Sequence, residues 1–169
     1  MKDGQIMSTR FMTKLAMLAM VAQPMVGAHA AGVLELHGRG VQVYRCETTT
    51  SGFAWKLTGP EATLLASDGQ VAGRHFAGPS WQATDGSVVV GEVLASGTPP
   101  DATKAIASVP WLILRAKSHA GSGTLSEVTH VVRSHTTGGT APVTGCGAGT
   151  TGLETRVPYT ADYTFFGTR

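Results

Sequence analysis

Ser80-Trp81-Gln82-Ala83-Thr84-Asp85-Gly86-Ser87-Val88-Val89-Val90-Gly91-Glu92-Val93 is the stretch that decides the fold. Its centre, Asp85-Gly86, is a strong signal for a tight hairpin turn, because both residue types tolerate the positive φ such a turn demands. Ser80–Ala83 enters the turn and Val88–Val93 leaves it as an apolar run. The whole therefore reads as strand, turn and returning strand.

The same pattern extends in both directions. Upstream, Gly40–Cys46, Phe53–Leu57, Ala62–Ala66 and Val71–Phe76 are short apolar or alternating runs. Ser51-Gly52 and Ser67-Asp68-Gly69-Gln70 separate them as turn signals. Downstream, Thr98-Pro99-Pro100-Asp101 interrupts the series, and Ala102–Ser108 reads as one or two helical turns with Asp101 as N-cap. Pro110–Ala116 is a nearly continuous apolar run, the pattern of a strand buried on both faces. Val128–Ser134 and Pro158–Phe166 read as two further strands. Thr136–Thr151, rich in Gly and Thr, reads as a long loop. After the first 30 residues no stretch carries a helical period. The expected fold class is all-β, an antiparallel β-sandwich or partly open β-barrel with little helix.

The N-terminus has a different character. Lys2, Arg10 and Lys14 precede a short apolar run over Leu15–Val26, and Ala28-His29-Ala30 ends it with small residues. This is the layout of a secretory signal peptide, with residues 1–30 as the leader and 31–169 as one β domain. The run is about a dozen residues, short of the roughly 20 that span a bilayer, and Gln23 and Pro24 interrupt it. The mature form is expected to have no membrane span and to be periplasmic or secreted.

Removing the leader changes the charge. The full chain is +2, and residues 1–30 hold three basic residues and one acidic one, so the remainder is close to neutral. A neutral domain lacks the cationic charge that dominates binding to phosphate backbones, which argues against a nucleic-acid partner. Cys46 and Cys146 both lie in the mature part. Export makes a Cys46–Cys146 disulfide the expected state, since oxidising compartments preserve such bonds. Free thiols or metal ligands are the alternatives, but the paired C-x-x-C spacing of a zinc site is missing.

Candidate chemistry rests on few residues. His75, Trp81 and Asp85 are the expected ligand-binding set, with Trp81, after Gly78-Pro79, as a partly exposed ring. His75 also has Asp85, Glu92 or Asp162 as possible acid–base partners. A copper or zinc site would use His75 with His130 or His135. In one regular strand His130 and His135 would face opposite ways, so a shared metal would require a bulge. No nucleophile signature of the G-x-S-x-G kind is present. An α/β-hydrolase triad therefore has no support.

Several segments carry a family resemblance. They are His75-Phe76-Ala77-Gly78-Pro79-Ser80-Trp81, Asp85-Gly86-Ser87-Val88-Val89, Pro110-Trp111-Leu112-Ile113-Leu114, Val131–Pro142 and Val157-Pro158-Tyr159-Thr160-Ala161-Asp162-Tyr163. In this order they resemble the family called domain of unknown function 3455, found in secreted bacterial and fungal proteins. The resemblance runs from Gly40 to Phe166. It implies an exported single domain and supplies no catalytic residues. That family more often has asparagine where this chain has His135. The combined expectation is a non-enzymatic exported binding module for a small molecule, glycan or extracellular protein, without a cofactor. The alternatives are an extracytoplasmic metal-binding protein or metal-assisted enzyme, and a structural or surface-interaction protein.

Overall fold

The computed structural model describes residues 1, 32–100 and 107–168. Apart from Met1 the expected leader lies outside these residues, as do residues 102–106 of the expected helical turn. Of that turn, Ala107 and Ser108 are described, and Ser108 forms an isolated bridge with Gly139.

Eight strands follow in order: β1 (Gly32–Thr49), β2 (Gly52–Leu65), β3 (Val71–Phe76), β4 (Ser80–Ala83), β5 (Val88–Gly97), β6 (Trp111–Ala120), β7 (His130–Gly138) and β8 (Glu154–Thr168). Each pairs antiparallel with its neighbour in sequence, and β8 returns to β1, so the sheet closes into a barrel. The all-β, antiparallel expectation is what the chain adopts. A short 3-10 turn, Ala148–Thr150, interrupts the loop before β8. Among the described residues no helix is long and apolar enough to cross a membrane.

The hairpin at the centre of the sequence reading forms as expected. Gly86 has φ 89°, and the Ala83 and Ser87 backbones close the turn through an N–H···O bond of 2.9 Å. Other strands run longer than expected. β1 begins at Gly32 rather than Gly40, and β2 fuses two separate runs. β7 continues through Gly138 into the expected loop, with a bulge between Ser134 and Thr137. The expected two-sided burial of Pro110–Ala116 is corrected. Leu114 is 1% exposed but its neighbour Ile113 is 46% exposed, because only the inner face of β6 meets the core.

That core fills the barrel. Leu36, Leu64, Trp81, Val89, Leu114, Val131, Tyr163 and Phe165 point inward from all but one of the strands. An eight-stranded barrel has an interior just wide enough for such side chains. Small inner-wall residues make room for the rings. A Cβ on Gly38 would stand 2.6 Å from Tyr163 Cε2, and one on Gly91 would stand 3.0 Å from Trp81 Cζ3.

β3 and β4 are short, and this notches the barrel wall. β2 pairs with β3 only over Ala62–Leu65, and β4 meets β5 only over Val88–Val90. Among the described residues, beyond the Ala77-Gly78-Pro79 turn β2 continues with β1 alone and β5 with β6 alone. The two extensions stand three strand spacings apart, about 14 Å. The β1–β2 extension is braced. A Cys46–Cys146 disulfide ties it to the loop before β8, as the cysteine pattern predicts. Trp55 Nε1 donates to the Thr144 carbonyl at 2.9 Å, and the Cys46 backbone exchanges bonds with Gly152 and Leu153.

Candidate functional site

His75 and Trp81 come together, but inside the core. They sit opposite each other on β3 and β4, with ring centroids 4.6 Å apart and planes 7° from parallel. Tyr163 meets the imidazole edge-on at 5.0 Å. The expected part-exposed ring of Trp81 is corrected, since it is 1% exposed. The His75 Nδ1–H donates to the Ser80 carbonyl at 2.8 Å. Burial pushes its pKa down to about 4 against the pull of that bond, so the ring is neutral.

Asp85 is elsewhere, at the β4–β5 turn. Its carboxylate accepts from the Ser87 amide and hydroxyl and from the Thr124 amide and hydroxyl, at 2.6–2.9 Å. These bonds, the Ser87 hydroxyl first, hold it well below the usual carboxylate range. They fasten the turn to the β6–β7 loop, which is a structural task. Glu92 pairs with Arg115 at 2.7 Å. Neither acid meets His75.

The histidines of the expected metal set do not converge. His75 is buried, whereas His130 and His135 lie exposed on β7. The bulge that a shared metal would require is present, but it turns His135 towards a different partner. Among the described residues no three His, Cys, Asp or Glu side chains are grouped to hold a metal ion.

That partner is Asp162, and with it comes His37, which the sequence reading did not single out. Leu36 and Gly38 point inward, so His37 points outward. Ala161 and Tyr163 are inward on β8, so Asp162 is outward, directly opposite His37. Asp162 Oδ1 lies 2.8 Å from His37 Nδ1, and Oδ2 lies 3.2 Å from His135 Nδ1. A carboxylate only accepts, so the His37 ring donates to Asp162 from Nδ1, while His135 stands within ion-pair distance of the second oxygen. His135 reaches this place by adopting φ 47°, the one non-glycine residue at positive φ among those described. The Ser134 hydroxyl lies 3.2 Å from the same Nδ1.

The trio forms the rim of a groove of about 280 Å³ across β7, β8 and β1. Glu35, Ser67 and Thr164 add polar groups, and Leu65 adds apolar surface. Among the described residues the lining contains no Lys or Arg. The arrangement offers carboxylates, hydroxyls and two imidazole rings to whatever enters. One sequence signal pointed here: His37 and Asp162 share outward parity on the first and last strands, which ring closure places side by side.

The family described as "Protein of unknown function (DUF3455)" matches residues 27–72 and 66–167. No curated protein matches the chain, and no solved structure does. The family match covers nearly all of the barrel, and the chain belongs to this DUF3455 family.

Proposed function

We propose that this chain is an exported single-domain binding module, with residues 1–30 as a removable leader and 31–169 as the working domain. Its recognition site is the outer-wall groove at His37, His135 and Asp162. The observation that carries this reading is the carboxylate of Asp162 held between two imidazoles, one of them on a backbone conformation that L residues seldom adopt. Strain of this kind persists where the surrounding structure enforces it, and it clusters at working sites. The groove faces solvent, whereas a ligand for His75 and Trp81 would have to enter a packed interior. The disulfide supports export, since such bonds last in oxidising compartments.

The acidic, hydroxyl-lined groove suits a small molecule rich in hydroxyl or amine groups. Amide chemical shifts of the ¹⁵N-labelled protein test this, with N-acetylglucosamine and putrescine as probes. The expected result is shifts at His37, Ser134–Thr136 and Asp162 with one of them, lost in Asp162→Asn. Silence with both probes, or shifts confined to the core around Trp81, would overturn the groove assignment. Zinc serves as a third probe for the metal alternative: broadening at His37 and His135 would move the reading from organic ligand to cation.

A further inference from the structure

Among the described residues, the notch in the barrel wall leaves one stretch of strand edge without a partner. Beyond Thr58, towards the hairpin tip, β2 pairs with β1 and has no strand on its other side among the described residues. The direction of its backbone groups follows from the register. Cys46 sends its N–H and C=O to Leu153 and Gly152, away from β2. Cys46 opposite Trp55 is therefore a non-hydrogen-bonded pair of the antiparallel ladder. The pattern alternates, so Phe53, Trp55 and Leu57 all turn their N–H and C=O groups to the open edge. Among the described residues none of these groups has a backbone partner beyond the strands.

The side chains match this edge. Phe53, Trp55 and Leu57 share one face, and Phe53 and Leu57 are 43% and 55% exposed. Natural edges are guarded by proline, bulges or several charges. Between Gly52 and Thr58 there is no proline and a single charge, Lys56. The disulfide and the Trp55–Thr144 bond hold the extension in place, so little ordering would be needed on association.

We infer that this edge is an interaction surface for a second copy of the same chain, joined antiparallel β2 to β2 about Trp55. The edge is complementary to itself in that register. Trp55 of each copy would exchange both backbone bonds with its counterpart, and Phe53 of one would do so with Leu57 of the other. All six outward groups per copy are then satisfied, with apolar side chains opposite apolar ones. On the other face Lys56 falls opposite Ala54, so the two ammonium groups are not directly opposed. The space fits as well. The incoming hairpin presents β2 with β1 behind it, and among the described residues the notch lacks two strands. A two-fold axis through the paired edges closes the assembly at a dimer.

Sedimentation equilibrium of the purified, disulfide-bonded chain from micromolar to millimolar concentration tests the inference. A concentration-dependent dimer is expected, with the Phe53, Trp55 and Leu57 amides exchanging more slowly as it forms. Leu57→Lys should raise the dissociation constant at least tenfold, and Phe53→Pro, which removes one edge donor, should do the same. Val71→Lys, equally exposed but at the opposite end of β2's partner strand, should leave it unchanged. A monomer at every concentration would overturn the inference. So would a dimer that survives both edge variants, or one that Val71→Lys disrupts equally. Near-ultraviolet circular dichroism identifies any variant that fails to fold, and Leu57→Lys, on an exposed side chain, keeps the test decisive if Phe53→Pro does.

Discussion

The imidazole of His75 lies flat on the indole of Trp81, with 4.6 Å between ring centres, and the pair is sealed inside the barrel. This contact has a pH signature. Burial lowers the His75 pKa to about 4, against roughly 6.5 for an unfolded histidine. As pH falls through the unfolded value, the unfolded chain takes up a proton that the folded chain refuses. The stabilisation is thus complete above about pH 6.5, declines as pH falls, and has lost about 3 kcal/mol near pH 4. Urea unfolding between pH 7 and 4.5 should show this slope, and His75→Phe should flatten it. Parallel slopes in the two proteins would assign the proton to another group.

The rings also set the size of the inner wall. Tyr163 occupies the space that a Gly38 side chain would take, and Trp81 does so at Gly91. Overpacking of this kind costs about 1–3 kcal/mol. Gly38→Ala is expected to lower thermal stability within that range, and Gly91→Ala less, because its nearest atoms stand farther away. Calorimetry of the two variants measures the order. Equal stability in both and the parent would mean that the rings shift freely.

His135 presents the opposite case. At φ 47° a side chain is strained, and glycine or asparagine is better suited. His135→Gly should therefore leave stability unchanged or raise it by up to about 1 kcal/mol, while probe binding at the groove is lost. Denaturation and amide-shift titration of one sample give both numbers. A clear loss of stability would show that His135 serves the fold instead.

The disulfide spans 100 residues. Removing the constraint is expected to cost about 2–5 kcal/mol, near the upper end in the chain-entropy description. Cys46→Ala with Cys146→Ala, compared with the parent in denaturant, checks this. The same double variant should speed amide exchange at Gly152 and Leu153, whose bonds to Cys46 depend on the brace.

Asp85 holds four donors from Ser87 and Thr124. Its pKa is depressed, so the stabilisation exists above the unfolded carboxylate range and is lost as pH falls below it. Asp85→Asn should accelerate amide exchange at Ser87 and Thr124 and leave groove binding intact. Lost binding would tie this turn to the site after all.

Strand content was readable in the sequence because turn residues are local. Asp85-Gly86 and Ser67-Asp68-Gly69 mark hairpins on their own, and β3 and β4 occupy their expected bounds. The first half of β1 escaped because its inward positions 38 and 40 are glycines. They complete an alternation begun by Leu34 and Leu36, yet look like a turn until Tyr163 is seen resting on Gly38. Trp81 was misjudged for a related reason. Its sequence neighbours are polar and kinked, but its burial comes from His75 and Gly91 on the neighbouring strands and Phe165 across the barrel. The groove was the least legible part. His37, His135 and Asp162 lie on three strands distant in sequence, and only ring closure and a bulge unite them.

Closure of the ring has a consequence for how the protein comes into being. β1 is the first strand made, and one of its two partners is the last. Until Glu154–Thr168 is synthesised, the chain can form at most a curved open sheet, with β1 and β7 as adhesive outer edges. The final strand is therefore the latch that converts a sticky intermediate into a sealed particle. A premature stop codon ahead of it would yield aggregation and clearance, not a smaller working barrel.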